Sequence, residues 1–248
     1  MSSITSTGSG TPRSGGYQSF MRAMLREDLL RLGREVACVD LRGRRLHFTD
    51  GSEAGYDRLV STMPLPELVA RTDPAQVPSD VRAASEALLC TSIVLVDIAV
   101  RRSDLSAHHW FYVYDEEISF SRATFPHMLS PENAPPGSGS IQVEVYHSRS
   151  RPLPCAPASL PDRVVAELVR LGVLESAGEV IWARHREVQY GNVVFDHQRA
   201  AALGTIRPWL KEHGVESAGR YGEWAYFWTD DATRSGWAAA ARILDGDR

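Results

Sequence analysis

Only three cysteines occur in 248 residues, Cys38, Cys90 and Cys155, and their wide spacing leaves no C-x-x-C pair. That pattern suits neither a zinc knuckle nor a disulfide framework, and it fits a reducing, cytoplasmic setting. No surplus of positive charge is present either. With 27 Lys and Arg against 31 Asp and Glu, the formal charge is −4, so bulk electrostatics draws the chain neither to nucleic acid nor to anionic lipid. The short run Arg42, Arg44, Arg45 surrounds a glycine turn, where charge keeps a loop solvated. No apolar stretch approaches the roughly 18 residues that a membrane span requires. The Ser, Thr and Gly-rich start has no apolar core of signal-peptide length, so a soluble protein without membrane partners is expected. No Gly-x-Ser-x-Gly elbow announces a hydrolase. His108 and His109 are adjacent and would face opposite sides of a strand, and His127, His147, His185 and His197 lack partners at ligand spacing, so no metal site is expected.

What is there is an ordinary globular composition, 43% hydrophobic and 23% charged, enough for a real core. Residues 1–14 read as a flexible leader, and residues 15–248 as a single domain. Phe20, Met21, Met24, Leu25 and Leu29 recur at helical spacing, which predicts one helix over residues 17–32 stopped by Gly33. Alternating runs at 35–41 and 44–49, with turns at Arg42-Gly43 and Asp50-Gly51, predict a β-meander. A short buried strand at 59–62 runs into Met63-Pro64, and a short helix follows over 66–70. The middle third reads as strands at 91–100, 110–114, 119–124 and 140–146, with a Pro/Gly loop at 131–139 of the kind that lies on a surface or beside a site. Helices are expected at 160–171, 198–213 and 229–244, and a strand at 179–189.

Three segments together resemble the later parts of flavoproteins of the UDP-galactopyranose mutase, protoporphyrinogen oxidase and amine oxidase group. The first is Tyr56-Asp57-Arg58-Leu59-Val60-Ser61-Thr62-Met63-Pro64-Leu65, similar to that group's strand and proline turn near the cofactor, with a glycine turn and helix start upstream at Gly15-Gly16-Tyr17. The second is Ile118-Ser119-Phe120-Ser121-Arg122-Ala123-Thr124-Phe125, similar to the strand that presents an arginine to a substrate pyrophosphate. The third is Gly219-Arg220-Tyr221-Gly222-Glu223-Trp224-Ala225-Tyr226, followed by Asp230 and Ser235-Gly236, similar to the turn and helix that close over the flavin. The resemblance implies an α/β (α+β) fold with a mixed, largely antiparallel sheet and flanking helices, like the substrate-binding part of that fold, with an incomplete FAD domain. It also implies substrate contacts at Arg122, Arg220 and Tyr226, and cofactor contacts at Val60, Thr62, Gly219, Arg220, Glu223, Asp230 and Gly236.

The residues read on their own leave alternatives open. A glycine before an arginine lets backbone approach a ligand, and a helix start just after it offers unpaired N–H groups. The same stretch also reads as an aromatic strand followed by a surface helix capped by Thr229, Asp230 or Asp231. Arg122 either presents a bidentate fork to phosphate or carboxylate, or faces solvent. A half-buried arginine at 122 or 220 would need an acid such as Glu144 or Glu223, or an anion. Trp228 stands two positions after Tyr226, where the mutases carry an acid, which departs from a nucleotide-sugar pattern.

The group normally grips FAD with a strand, a G-x-G-x-x-G turn and a helix. Here the one glycine-rich stretch, Gly8 to Gly15, has no apolar strand before it, and Pro12 interrupts it. FAD is therefore not expected to be held tightly by this chain alone. The expected function is a truncated flavin-dependent oxidoreductase or mutase-like protein acting on an anionic small molecule, a nucleotide sugar or a natural-product intermediate, as a homo-oligomer or with a partner subunit. The alternatives are a cofactor-free binding or scaffold protein and a flavin-independent enzyme that reuses the fold.

Overall fold

The computed structural model describes residues 14–22 and 24–246, so the expected leader lies outside it apart from Ser14. In chain order the elements are α1 (Gly16–Arg22), β1 (Val36–Asp40), β2 (Arg45–Phe48), β3 (Glu53–Gly55), β4 (Leu59–Ser61), α2 (Leu65–Arg71), α3 (Ser79–Glu86), β5 (Ser92–Val100), β6 (Trp110–Tyr112), β7 (Arg122–Thr124), α4 (Pro126–Leu129), β8 (Gly139–His147), α5 (Leu160–Arg170), β9 (Val180–Val188), α6 (Arg199–Glu212), β10 (Val215–Ser217), α7 (Gly219–Gly222) and α8 (Thr229–Gly246). They make a mixed α/β fold whose sheets are antiparallel except for one pair. The chain divides into two compact units, one of residues up to Leu29 together with Ser92–Gly191, the other of Leu30–Thr91 together with residues from Asn192 onward.

The first unit is built on a five-stranded antiparallel sheet in the order β6-β7-β8-β5-β9. Period-2 alternation decides its faces. Val94, Val96, Ile98 and Val100 of β5 and Ile141, Val143 and Val145 of β8 all point to one side and are at most 1% exposed. Leu160, Val164 and Leu168, spaced four apart on α5, form the stripe that belongs to the same core. Burial at this level contributes roughly 1.5–3 kcal/mol per large aliphatic side chain. The opposite face is polar and ordered in rows. Tyr112, Arg122, Glu144, Leu95 and Arg186 stand in one cross-strand row, and Trp110, Thr124, Gln142, Asp97 and Arg184 in the next.

Two expectations for this unit need correction. The strand expected at 119–124 is confined to Arg122–Thr124, with cross-strand hydrogen bonds reaching back to Ser121, while Ser119 gives both its N–H and its hydroxyl to the Glu167 carboxylate, at 3.1 and 2.6 Å. Its alternation survives all the same, with Ile118 and Phe120 buried. The single helix expected over 17–32 ends at Arg22, and only a 3-10 turn at Glu27–Leu29 follows. Met24, Leu25, Leu29, Leu30 and Leu32 are all exposed, so this part of the stripe buries too little to sustain a helix.

The second unit opens with the expected meander β1-β2-β3. At its first turn a Cβ on Gly43 would sit 2.2 Å from an Asp40 carboxylate oxygen, so a larger residue would push aside the carboxylate that accepts the Gly43 N–H at 2.8 Å. At the second, Gly51 takes φ 81°. β4 pairs in parallel with β10, Leu59 opposite Val215, and α3 packs against α6. Among the described residues no helix is long and apolar enough to cross a membrane.

Candidate functional site

Within the second unit, three segments far apart in sequence converge on α7. Gly222 lies so close to the end of β4 that a Cβ there would be 2.8 Å from the Ser61 carbonyl oxygen and 3.4 Å from Thr62 Cα. The Ala218 N–H donates to the same Ser61 carbonyl at 2.9 Å. Gly219, at φ 78°, donates its N–H to Ser235 Oγ at 2.8 Å, and the Ser235 hydroxyl donates onward to the Glu223 carboxylate. Two of the groups expected to touch a cofactor, the Gly219 amide and the Glu223 carboxylate, are thus engaged in tying α7 to α8. Val60 and Thr62 are exposed at the end of β4, and Gly236 is exposed on α8. Asp230 is exposed in the first turn of α8, with Arg234 3.8 Å away.

The turn after α7 is held from behind by α6. Arg199 donates from Nε to the Trp224 carbonyl at 2.8 Å, and Arg207 donates to the Glu223 carbonyl at 2.6 Å. Trp224 is fully buried at φ 51°, a backbone conformation that costs about 1–2 kcal/mol for a non-glycine residue and is sustained by this packing. Residues 221–228 therefore do not form the aromatic strand that composition suggested. They wind through α7 and an irregular stretch.

Arg220 is the charge this scaffold presents. Its guanidinium donates to Asn192 Oδ1 and, at 3.4 Å, to the Phe227 carbonyl, and it lies 4.6 Å from the centre of the Tyr226 ring and 5.7 Å from that of Tyr221. Every one of these partners is neutral. No carboxylate among the described residues pairs with Arg220, and its buried Nε has no hydrogen bond. Burial pushes the Tyr221 phenol up in pKa, against the opposing pull of the Arg220 charge.

Arg122, in the first unit, is placed differently. It pairs with Glu144, which also accepts the Tyr146 hydroxyl at 2.9 Å. Burial works against the Arg122 charge, and Glu144 together with Tyr112 more than offsets it, raising the guanidinium above its ordinary value. The acid partner expected of a half-buried arginine is present at Arg122 and missing at Arg220.

The family model for flavin containing amine oxidoreductases matches residues 3–244. The chain belongs to that family. Among solved structures, reduced UDP-galactopyranose mutase is similar to this oxidoreductase-family chain with a TM-score of 0.77 at 24% identity, covering 87% of this chain and 47% of the other. A fatty acid isomerase from P. acnes that produces CLA gives 0.68 at 14% identity, covering 92% and 52%. A protoporphyrinogen oxidase from Exiguobacterium sp. 255-15 gives 0.57 at 16%, covering 82% and 45%. These likenesses show a shared fold, and the chain spans about half the length of each of these relatives.

Two of the glycines that the resemblance places at a flavin leave their backbone open. A Cβ added to Gly219 or Gly236 meets nothing within 4 Å, and the buried Arg220 Nε, next to Gly219 in the chain, has no hydrogen bond. Sequence reasoning missed Asn192, which fixes the Arg220 fork, and Asp97 in β5. The second had a visible signal, an acid in the middle of the apolar run Ser92–Val100. Asn192 had none, because only the fold brings it to Arg220.

Proposed function

We propose that this chain forms the flavin-edge and anion-holding part of a flavin-dependent oxidoreductase or mutase that acts on an anionic small molecule, a nucleotide sugar or a natural-product intermediate. The observation that carries this reading is Arg220, a half-buried cation whose partners are all neutral. A positive charge taken from water without a counter-charge is costly, and an anionic ligand would supply what the protein withholds. Val60, Thr62, Gly219, Glu223, Asp230 and Gly236 would border the flavin, which when bound supplies the electron chemistry. Arg220, backed by the Tyr226 ring, would hold and orient the substrate anion, whereas the charge of Arg122, in the first unit, is already balanced by Glu144. The 248 residues carry no dinucleotide cradle of their own, and a segment or chain that carries one would complete the grip on the cofactor.

Calorimetric titration with inorganic pyrophosphate tests the anion site. Arg220→Ala is expected to weaken binding about tenfold or more, since a charge-assisted bond contributes roughly 1.5–3 kcal/mol. Unchanged affinity in a folded Arg220→Ala protein would remove the basis of the reading.

A further inference from the structure

A second site lies wholly within the first unit. On the polar face of the five-stranded sheet, a pocket of about 640 Å³ opens beneath the 131–139 loop, a volume in the range of small-molecule sites. Its walls are mostly apolar, with Ala99, Leu129, Pro135, Ile181 and Trp182 among them. A β-bulge makes one of those walls. Ala99 pairs with Trp182 and Val100 with Val180, which leaves Ile181 as the extra residue of β9, and both Ile181 and Trp182 line the pocket. The roof is fastened at both ends. Asn133 Nδ2 donates to the Pro126 carbonyl at 2.9 Å, and His127 accepts the Ser140 N–H at 3.0 Å while its Nε2 meets the Ser103 carbonyl at 3.0 Å. Gly139 is irreplaceable at the loop's end, because a Cβ would lie 2.5 Å from the Arg102 carbonyl oxygen.

The floor holds one charge. Gln142 Nε2 donates to Asp97 Oδ1 at 2.8 Å, and no cation among the described residues pairs with Asp97. Arg184, its neighbour in the same cross-strand row, instead stacks over the Trp182 ring at 5.2 Å. A carboxylate with an oxygen to spare beside apolar walls selects a donor. We infer that this pocket binds a flat, apolar, ring-bearing molecule that offers one N–H or O–H to Asp97, and that it rejects anions. The inference uses no residue of the Arg220 site and stands or falls separately from it.

Saturation-transfer NMR on the full chain, with indole, 1-methylindole and indole-3-carboxylate as size-matched probes, tests it. Indole is expected to saturate at about 1 mM or below and to bind about tenfold more tightly than 1-methylindole, which lacks the donor. Indole-3-carboxylate is expected to bind more weakly than indole. In Asp97→Asn, Gln142 still finds a side-chain oxygen and an amide NH2 faces the pocket, so the preference for indole over 1-methylindole should vanish. Ala99→Leu should narrow the pocket on the strand that carries Asp97 and weaken binding of both. The wild-type comparison needs no variant, so it decides even if a substitution prevents folding. Equal binding of indole and 1-methylindole, preference for the carboxylate, absence of saturable indole binding, or full binding by a folded Ala99→Leu protein would each overturn the assignment.

Discussion

The Arg220 guanidinium lies 4.6 Å from the centre of the Tyr226 ring, a cation–ring contact that an aliphatic residue at 226 could not reproduce. The ring is half exposed, so it steadies the arginine from the solvent side without neutralising it. Tyr226→Leu is expected to lower pyrophosphate affinity about threefold or more, in line with a cation–π contribution of about 0.5–1 kcal/mol. Tyr226→Phe keeps the ring and removes the hydroxyl, so calorimetry on both variants separates support of Arg220 from direct contact with the anion. If Tyr226→Leu binds as the wild type does, the ring has no part in the site.

Removing only one member of the Arg122–Glu144 pair should cost more than removing both. Glu144→Gln leaves a cation facing a weak acceptor at a position where burial already opposes charge. The expected loss is about 1–2 kcal/mol, set below the figure for fully buried pairs because Arg122 is one-third exposed to screening solvent. The double variant Arg122→Met with Glu144→Leu should recover most of that stability. Urea midpoints that show the double variant to be the least stable of the three would contradict this.

Acid should loosen the meander. The Gly43 N–H and then the Gln76 amide, each donating to Asp40 at 2.8 Å, hold that carboxyl below the usual carboxylate range. Because the folded value is lower than the unfolded one, the stabilisation is fully present above about pH 4 and is lost as pH falls through the folded value. Asp50 and Asp231 shift in the same direction, each through hydrogen bonds to its charged form. Thermal melting followed from pH 7 to acid should therefore show a falling limb, and Asp40→Asn should make it shallower. An acid limb as steep in Asp40→Asn as in the wild type would exclude Asp40 as a contributor.

Cofactor retention is checked by eye and then by spectrum. With no glycine-rich cradle to hold a pyrophosphate, the 248-residue chain should purify without one FAD per chain. A stoichiometric flavin absorbance that survives gel filtration would show that the α7 edge alone grips the cofactor.

Much of this fold is legible in the sequence, and the exceptions share a cause. Strands such as Ser92–Val100 and Gly139–His147 announce themselves because a two-sided sheet imposes period 2 over nine residues, long enough to outweigh local noise. β10, three residues long, carries no period of its own, and its partner β4 is remote in sequence. The residues 17–32 show the opposite error, a helical stripe of which the later part buries too little. At the α7 site, the glycine-arginine turn was readable as a place where backbone bends close to something. That Gly219 and Glu223 engage Ser235, and that Asn192 orients Arg220, follow from tertiary pairing alone.

The parallel pairing of β4 with β10 also orders events during synthesis. Ser92–Gly191 is one uninterrupted stretch that carries all five strands of the larger sheet, so its contacts can form as soon as that stretch has left the ribosome. The other unit must wait until Val215 has emerged to meet Leu59, and closing so long a loop is slow. In the interval the edge of β4 is an unclaimed strand, open to pairing with a neighbouring chain.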